Sequence, residues 1–269
     1  MIDDLEEIIY NFDRKFCNSN SIFKEKIMFE EIDYKKETLD KKRPLPSNTL
    51  KSIRESLLLD WTYNSNAIEG NTLTLSETKV VLEGITIGGK TLREHLEVIN
   101  HKEAIEYVED IVKNQEPFTE WQVKNIHRIV LKGIDDENAG TYRKENVIIS
   151  GAIHTPPESL FVPEQMSGLI DWYQNEAQKL HPVERASLLH IYFVKIHPFI
   201  DGNGRTARLL LNLELMKSGY PSIVIKKEKR LRYYNALDKA HINNEYKDFY
   251  DIVSEELNTT LDLYLQLIK

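Results

Sequence analysis

Seven side chains and backbone sites that could do phosphate chemistry fall within twelve residues, His197-Pro198-Phe199-Ile200-Asp201-Gly202-Asn203-Gly204-Arg205-Thr206-Ala207-Arg208. His197 has the residue type whose ordinary pKa, near 6.5, suits a general base at neutral pH. Asp201 alone is a weak metal site, but it becomes an ordinary Mg²⁺ site when phosphate oxygens supply the remaining ligands. Gly202 and Gly204 let the backbone approach a ligand closely. A helix starting here adds unpaired N–H groups and a partial positive charge, so Gly202, Asn203 and Gly204 form an anion nest. Arg205 and Arg208 lie three apart and share a helix face, and two guanidinium groups beside a nest suit a polyphosphate. Each feature has a plainer reading: a turn, a structural histidine before proline, arginines in salt bridges. Their joint occurrence points to one site with a base, a metal ligand and a cationic cradle.

The elements that must position these residues read as helices. Helical spacing covers residues 4–16 and 22–39, both charged enough to be surface helices, and then a stronger pattern from Ser47 to about Tyr63 that ends in the helix-stopping stretch Asn64–Asn71. Thr74 with Glu77, Thr91 with Glu94 and Thr119 with Gln122 form capping boxes opening helices near 76–83, 92–113 and 120–131. First-turn prolines Pro163 and Pro182 open helices near 163–178 and 182–196, and Gly219 closes one over 203–217. Two more cover 228–241 and 246–266. The β-branched run Val147-Ile148-Ile149, the turn Ser150-Gly151 and Ile153-His154-Thr155 read as a short β-hairpin. The expected class is all-α with one hairpin.

Composition narrows the function further. The chain has 269 residues, 41% hydrophobic and 29% charged, which is ordinary for a globular protein. With 35 basic and 43 acidic residues the net charge is −8, a poor footprint for sequence-independent nucleic-acid binding. Cys17 is the single cysteine, so no internal disulfide can form. The acidic start Met1–Glu7 lacks a signal-peptide pattern, and no apolar run is long enough for a membrane span, so a cytoplasmic location without membrane contact is expected. Neither a P-loop nor a His-Glu-x-x-His zinc motif occurs.

The segment His197–Arg208 resembles the signature of the Fic (filamentation induced by cAMP) family, His-Pro-Phe-x-Asp-Gly-Asn-Gly-Arg-x-x-Arg, and matches it at every specified position. Ser65-Asn66-Ala67-Ile68-Glu69-Gly70 is similar to the inhibitory pattern Ser/Thr-x-x-x-Glu-Gly/Asn of the class with an N-terminal inhibitory helix. The resemblance implies a Fic fold, a helical bundle core with one short β-hairpin flap preceded by N-terminal helices. It divides the chain into residues 1–118, a helical region with the inhibitory segment 65–70; residues 119–255, the Fic core; and residues 256–269, the end of a C-terminal helix.

It also implies a protein adenylyltransferase that uses ATP and Mg²⁺ to move AMP onto a Ser, Thr or Tyr hydroxyl, of a target and of itself. In that reading His197 is the base, Asp201 holds the metal, and Gly202, Asn203, Gly204, Arg205 and Arg208 bind phosphates. Glu69, with Ser65, occupies Arg208 and inhibits, and removal of AMP from modified targets is a second activity. The flap, 147–155, would hold the target by strand addition, with Ile149, Ser150 and Gly151 on the nucleotide side. Tyr233 and Tyr234 match a pair lining the adenine pocket, and His241 stands where the family often has asparagine. A homodimer contact near Gly84–Glu97 follows by analogy. Two alternatives remain: a relative transferring phosphate, UMP or phosphocholine, and a non-catalytic nucleotide-binding module.

Overall fold

The computed structural model describes residues 19–268, and side chains from Phe29 onward, so the helix expected over 4–16 lies outside the described residues. Ten α-helices follow in order: α1 Ser19–Asp40, α2 Ser47–Ile68, α3 Leu75–Leu82, α4 Leu92–Lys113, α5 Glu120–Leu131, α6 Val162–Asn175, α7 Pro182–Ile196, α8 Asn203–Lys217, α9 Arg230–Asn243 and α10 Lys247–Leu267. Among the described residues there is no strand.

The architecture is set by α8. From Asn203 to Leu215 every residue except Gly204 is buried, including five leucines at 1% exposure or less. A helix buried all round has no solvent face and must run through the middle of the molecule. Each of those leucines contributes roughly 1.5–3 kcal/mol of burial. One apolar cluster packs Trp61, Ile105, Ile126, Phe193 and Leu209 on one side of α7–α8, and a second packs Ile32, Ile68, Leu211, Tyr233 and Phe249 on the other. Both clusters draw on residues before and after position 118. In its middle, α8 satisfies the polar side chains that it buries. Asn212 pairs with both backbone groups of Ile223, and Glu214 takes Arg185 Nε at 2.7 Å and the Tyr173 hydroxyl.

Four local expectations are corrected. α2 does not stop near Tyr63 but continues to Ile68, because Asn64 and Asn66 bond back to the carbonyls of Asp60 and Thr62 four residues earlier and Asn64 Oδ1 accepts the Lys227 N–H. Packing of Ser65 and Asn66 in the interior outweighs the weak helix propensity of that stretch. α1 is not a pure surface helix: Phe29, Ile32 and Leu39 are buried and it lies along α10. The boxes at Thr74 and Thr91 form, whereas Thr119 makes no bond to the backbone of α5 and turns its hydroxyl to the Gln122 side chain.

The hairpin at 147–155 is replaced by an irregular loop turning at Ser150–Gly151. Pro156 and Pro157, just beyond it, offer no N–H groups by which pairing could continue. The buried Arg143 guanidinium ties the two arms together instead, donating to Glu145 O at 3.0 Å and Pro157 O at 2.5 Å.

Burial keeps three histidines neutral: it holds His101 and His190 well below their ordinary pKa and takes His127 to about 4. Between that pKa and the unfolded value near 6.5, the unfolded chain binds protons that the folded chain cannot. Stability therefore falls as pH drops through 6.5, by up to about 1.4 kcal/mol per pH unit per histidine. A lower melting temperature at pH 5.5 than at pH 7.5, followed by circular dichroism, is the expected result.

Candidate active site

α7 ends at Ile196, and His197 turns the chain with left-handed φ 49° and ψ 59°. Gly202, at φ 76°, makes the second turn and caps α8. Between them Asn203 clamps the loop: its Oδ1 accepts the Phe199 N–H at 3.0 Å and its Nδ2 donates to Phe199 O at 2.8 Å. The Asn203 side chain thus shapes the loop, which leaves its backbone to face a ligand. His127 from α5 holds the same loop from below. Gly140 N–H donates to its Nδ1, so its Nε2 carries the proton and donates to Asp201 O at 2.8 Å. Its ring stacks on Phe199 with centroids 3.5 Å apart. A Cβ at Gly202 would press on this ring at 3.2 Å, which adds a packing reason for glycine there.

Arg143 fixes the catalytic turn. Its Nε donates to His197 O at 2.9 Å and its backbone N–H to Pro198 O at 2.9 Å. Burial, aided by the Arg143 charge and opposed by Glu69, lowers the pKa of His197 to about 4. The imidazole is therefore neutral at pH 7 and able to accept a proton.

Asp201 is half-buried. Burial pushes its carboxyl up, but the Arg205 charge, the Gly202 N–H and Arg93 together hold it below the ordinary carboxylate value. Its Oδ1 accepts the Gly202 N–H at 2.6 Å and lies 3.3 Å from Arg205 Nη2, and its Oδ2 pairs with Arg93 of α4. Arg205 is buried and also approaches Glu97 at 3.4 Å, yet its Nε and Nη1 make no hydrogen bond.

Arg208 is 3% exposed. Its Nη2 donates to Glu69 Oε1 at 2.7 Å and Ser65 O at 2.8 Å, its Nε donates to Ser65 Oγ at 3.0 Å, and its Nη1 lies 3.4 Å from the Tyr233 hydroxyl. Burial lowers its pKa, but Glu69 and Tyr233 more than reverse that, so the guanidinium stays charged. The pairing expected between Glu69 and Arg208 is present. Extension of α2 to Ile68 puts Ser65 and Glu69 one helical turn apart on the same side of Arg208.

The outer residues divide. Tyr233 does not line an open pocket: it is buried at 1% exposure, and its hydroxyl meets His190 Nε2 at 2.9 Å. Tyr234 is half-buried and donates to Ile68 O at 3.2 Å, just before Glu69. His241 is buried, with Nε2 3.1 Å from Ile191 O, and burial takes its pKa to about 3. Ile149, Ser150 and Gly151 lie at the flap turn, with Ser150 and Gly151 exposed. The flap is fastened one step later, where Ile153 N–H donates to Asp238 Oδ1 at 3.2 Å and His154 Nε2 meets Lys195 O at 2.9 Å.

Arg93, Glu97, His127 and Arg143 were not legible as site residues. They come from three separate segments without any motif spacing, and only their convergence identifies them.

The start of a buried helix, a neutral histidine beside it and a carboxylate seated on its arginine thus meet at one loop of a helical fold. Comparison with known proteins places it. The Fic/DOC family model matches residues 117–215. A Fic domain containing signaling protein from Bacteroides thetaiotaomicron is similar at 33% identity and a TM-score of 0.82, over 90% of this chain and 96% of that one. Fic-1 from C. elegans is similar at 31% identity and a TM-score of 0.81, over 94% of this chain and 78% of that one. "Protein adenylyltransferase Fic" of Nematostella vectensis is 38% identical over 88% of this chain and 56% of its own length, and that of Drosophila willistoni 36% identical over 81% and 44%. The chain thus spans about half the length of those curated relatives. The chain belongs to the Fic/DOC family.

A Cβ built on Gly204 would land on the Glu69 carboxylate, although the backbone there is ordinary helix. Gly204→Ala should therefore cost about 1–3 kcal/mol by overpacking. In a Glu69→Gly background that cost should largely vanish. A double-mutant cycle by urea denaturation measures this non-additivity.

Proposed function

We propose that this chain is a protein adenylyltransferase that transfers AMP from ATP to a Ser, Thr or Tyr hydroxyl of a target protein and of itself, and that Glu69 restrains it. The observation that carries the reading is the buried Arg208, one turn inside the nest, held by Glu69 and Ser65 of α2. A guanidinium so placed is a phosphate receptor whose anion is supplied internally. Residues 1–118 then act as the regulatory part and residues 119–255 as the catalytic core, although the two share both apolar clusters.

The residues present fit a divalent cation in one specific way. Among the described residues no group of three or more His, Cys, Asp and Glu could hold a metal alone. Asp201, ionised at the mouth of the nest, offers one carboxylate, so a Mg²⁺ there relies on phosphate oxygens for its other ligands. When bound, the ion supplies charge neutralisation at the α- and β-phosphates.

The protein's own groups do the rest. The first-turn N–H groups at Asn203, Gly204 and Arg205 lack intrahelical acceptors by helix geometry and point at an anion. The two unpaired donors of Arg205 add fixed positive charge that needs no reorganisation. His197 takes the proton from the attacking hydroxyl as its oxygen bonds to the α-phosphorus. The bond from that phosphorus to the oxygen bridging to the β-phosphate breaks, and pyrophosphate leaves with both bonding electrons. The exposed turn at 148–153, with Ile148 89% and Ile153 75% exposed, is where a target segment would lie.

Four outcomes test the reading. His197→Ala should lower AMP transfer by about 10²–10⁴-fold while ATP binding survives, measured with labelled ATP and by calorimetry. Glu69→Gly should raise transfer, self-modification included, by about tenfold or more, because the state with Arg208 free becomes dominant. A mass increment of adenylyl, rather than phosphoryl or uridylyl, on the self-modified protein should accompany it. The pH profile of Glu69→Gly should stay flat through 6.5 and fall only at or below about pH 4, the folded value of His197 with Glu69 in place, because loss of the Glu69 charge lowers that pKa further and the base is lost only below it.

A further inference from the structure

Asp201 is not a free ligand in this fold. Its Oδ1 is committed inward, to the Gly202 N–H at 2.6 Å and Arg205 Nη2 at 3.3 Å. Arg205 has a side chain only 2% exposed and cannot move away. The outward oxygen, Oδ2, is bonded by Arg93 Nη2. Arg93 differs from Arg205 in every respect that matters for displacement. Its side chain is 56% exposed, it sits in the first turn of α4, and its other hold is one Nε bond to Glu97 Oε1 at 3.2 Å.

We propose that Arg93 is a displaceable counter-ion that sets the divalent-cation affinity of Asp201, because the cation and the guanidinium compete for the same oxygen. The proposal rests on the reading that Asp201 takes the metal. A divalent ion approaching Oδ2 meets a full positive charge already in contact with it, and the two cannot share the position. Displacing Arg93 costs little, because an ion pair with an exposed partner is weakened by solvent. The guanidinium is not released entirely. Glu97 keeps hold of it, and the same carboxylate also takes Asn71 Nδ2 at 2.9 Å, two residues beyond Glu69. Arg93 therefore acts as a threshold. With no cation present it neutralises Asp201 and holds the nest mouth together, and above a certain cation activity it swings out on Glu97.

The test uses the whole chain and a nucleotide that cannot react, α,β-methylene-ATP, titrated by calorimetry once in EDTA and once in excess Mg²⁺. The quantity read is the ratio of the two dissociation constants, EDTA over Mg²⁺, so activity plays no part. Arg93→Gln should raise this ratio by about three- to tenfold over the wild-type chain. Arg93→Lys, which keeps the charge, should stay within about twofold of wild type. Asp201→Asn should bring the ratio close to one.

An unchanged or lower ratio for Arg93→Gln overturns the proposal. So does a loss of affinity in EDTA as large as that in Mg²⁺, since Arg93 would then be a phosphate contact rather than a competitor. Retention of the full Mg²⁺ effect by Asp201→Asn would instead overturn the metal reading of Asp201, and the Arg93 proposal with it. The two failures are told apart by which variant departs from expectation.

Discussion

A guanidinium shut inside a protein must be given an anion, and the placement of Arg208 makes that requirement the organising constraint of this molecule. Its side chain is buried in the middle of α8, where water cannot solvate it. Glu69 and Ser65 at the end of α2, the Tyr233 hydroxyl of α9, and His190 of α7 behind it satisfy the charge and its donors. Four helices are thereby fixed around one cation. Stripping such a charge of its partner costs on the order of 3–5 kcal/mol unless another anion takes the place. A phosphate is the natural replacement, so the contact that stabilises the resting fold also covers the group a nucleotide would need.

The same economy of burial keeps an imidazole neutral beside the loop. Desolvation that would be a liability for a charged histidine keeps His197 neutral, and Arg143, buried beneath it, both holds its carbonyl and adds to the shift. His127 does for the nest what Arg143 does for the turn: a neutral ring with both nitrogens bonded, stacked on Phe199, supports the Asp201 carbonyl. The loop between α7 and α8 therefore needs no ligand to hold its shape, which is the preorganisation that phosphoryl chemistry exploits.

The segment before residue 118 is not an appendage to this site. α2 and α4 contribute to the apolar cluster that holds α8, and they supply Ser65, Glu69, Arg93 and Glu97 to the loop. The likeness to the Bacteroides protein extends over nearly all of both chains, so this packing of N-terminal and core helices belongs to the shared fold rather than to the signature alone.

The order of the described helices and the glycine-bounded loop that opens α8 were legible in the amino-acid sequence, because each depends on local spacing: capping boxes, first-turn prolines, two glycines between a helix end and a helix start. The pairing of Glu69 with Arg208 was legible only through the resemblance of Ser65–Gly70 to a family motif. Tertiary structure alone decided the rest. It extended α2 through Asn64 and Asn66 by burying them, withdrew Tyr233 into the core, and left the 147–155 segment without a ladder, its Ile153 N–H on Asp238 and the chain on either side of it tied by Arg143. It also brought Arg93, His127 and Arg143 to the loop. Those outcomes follow from contacts across tens to a hundred residues of chain, where burial and charge pairing outweigh local propensity, and no periodicity within one segment encodes them.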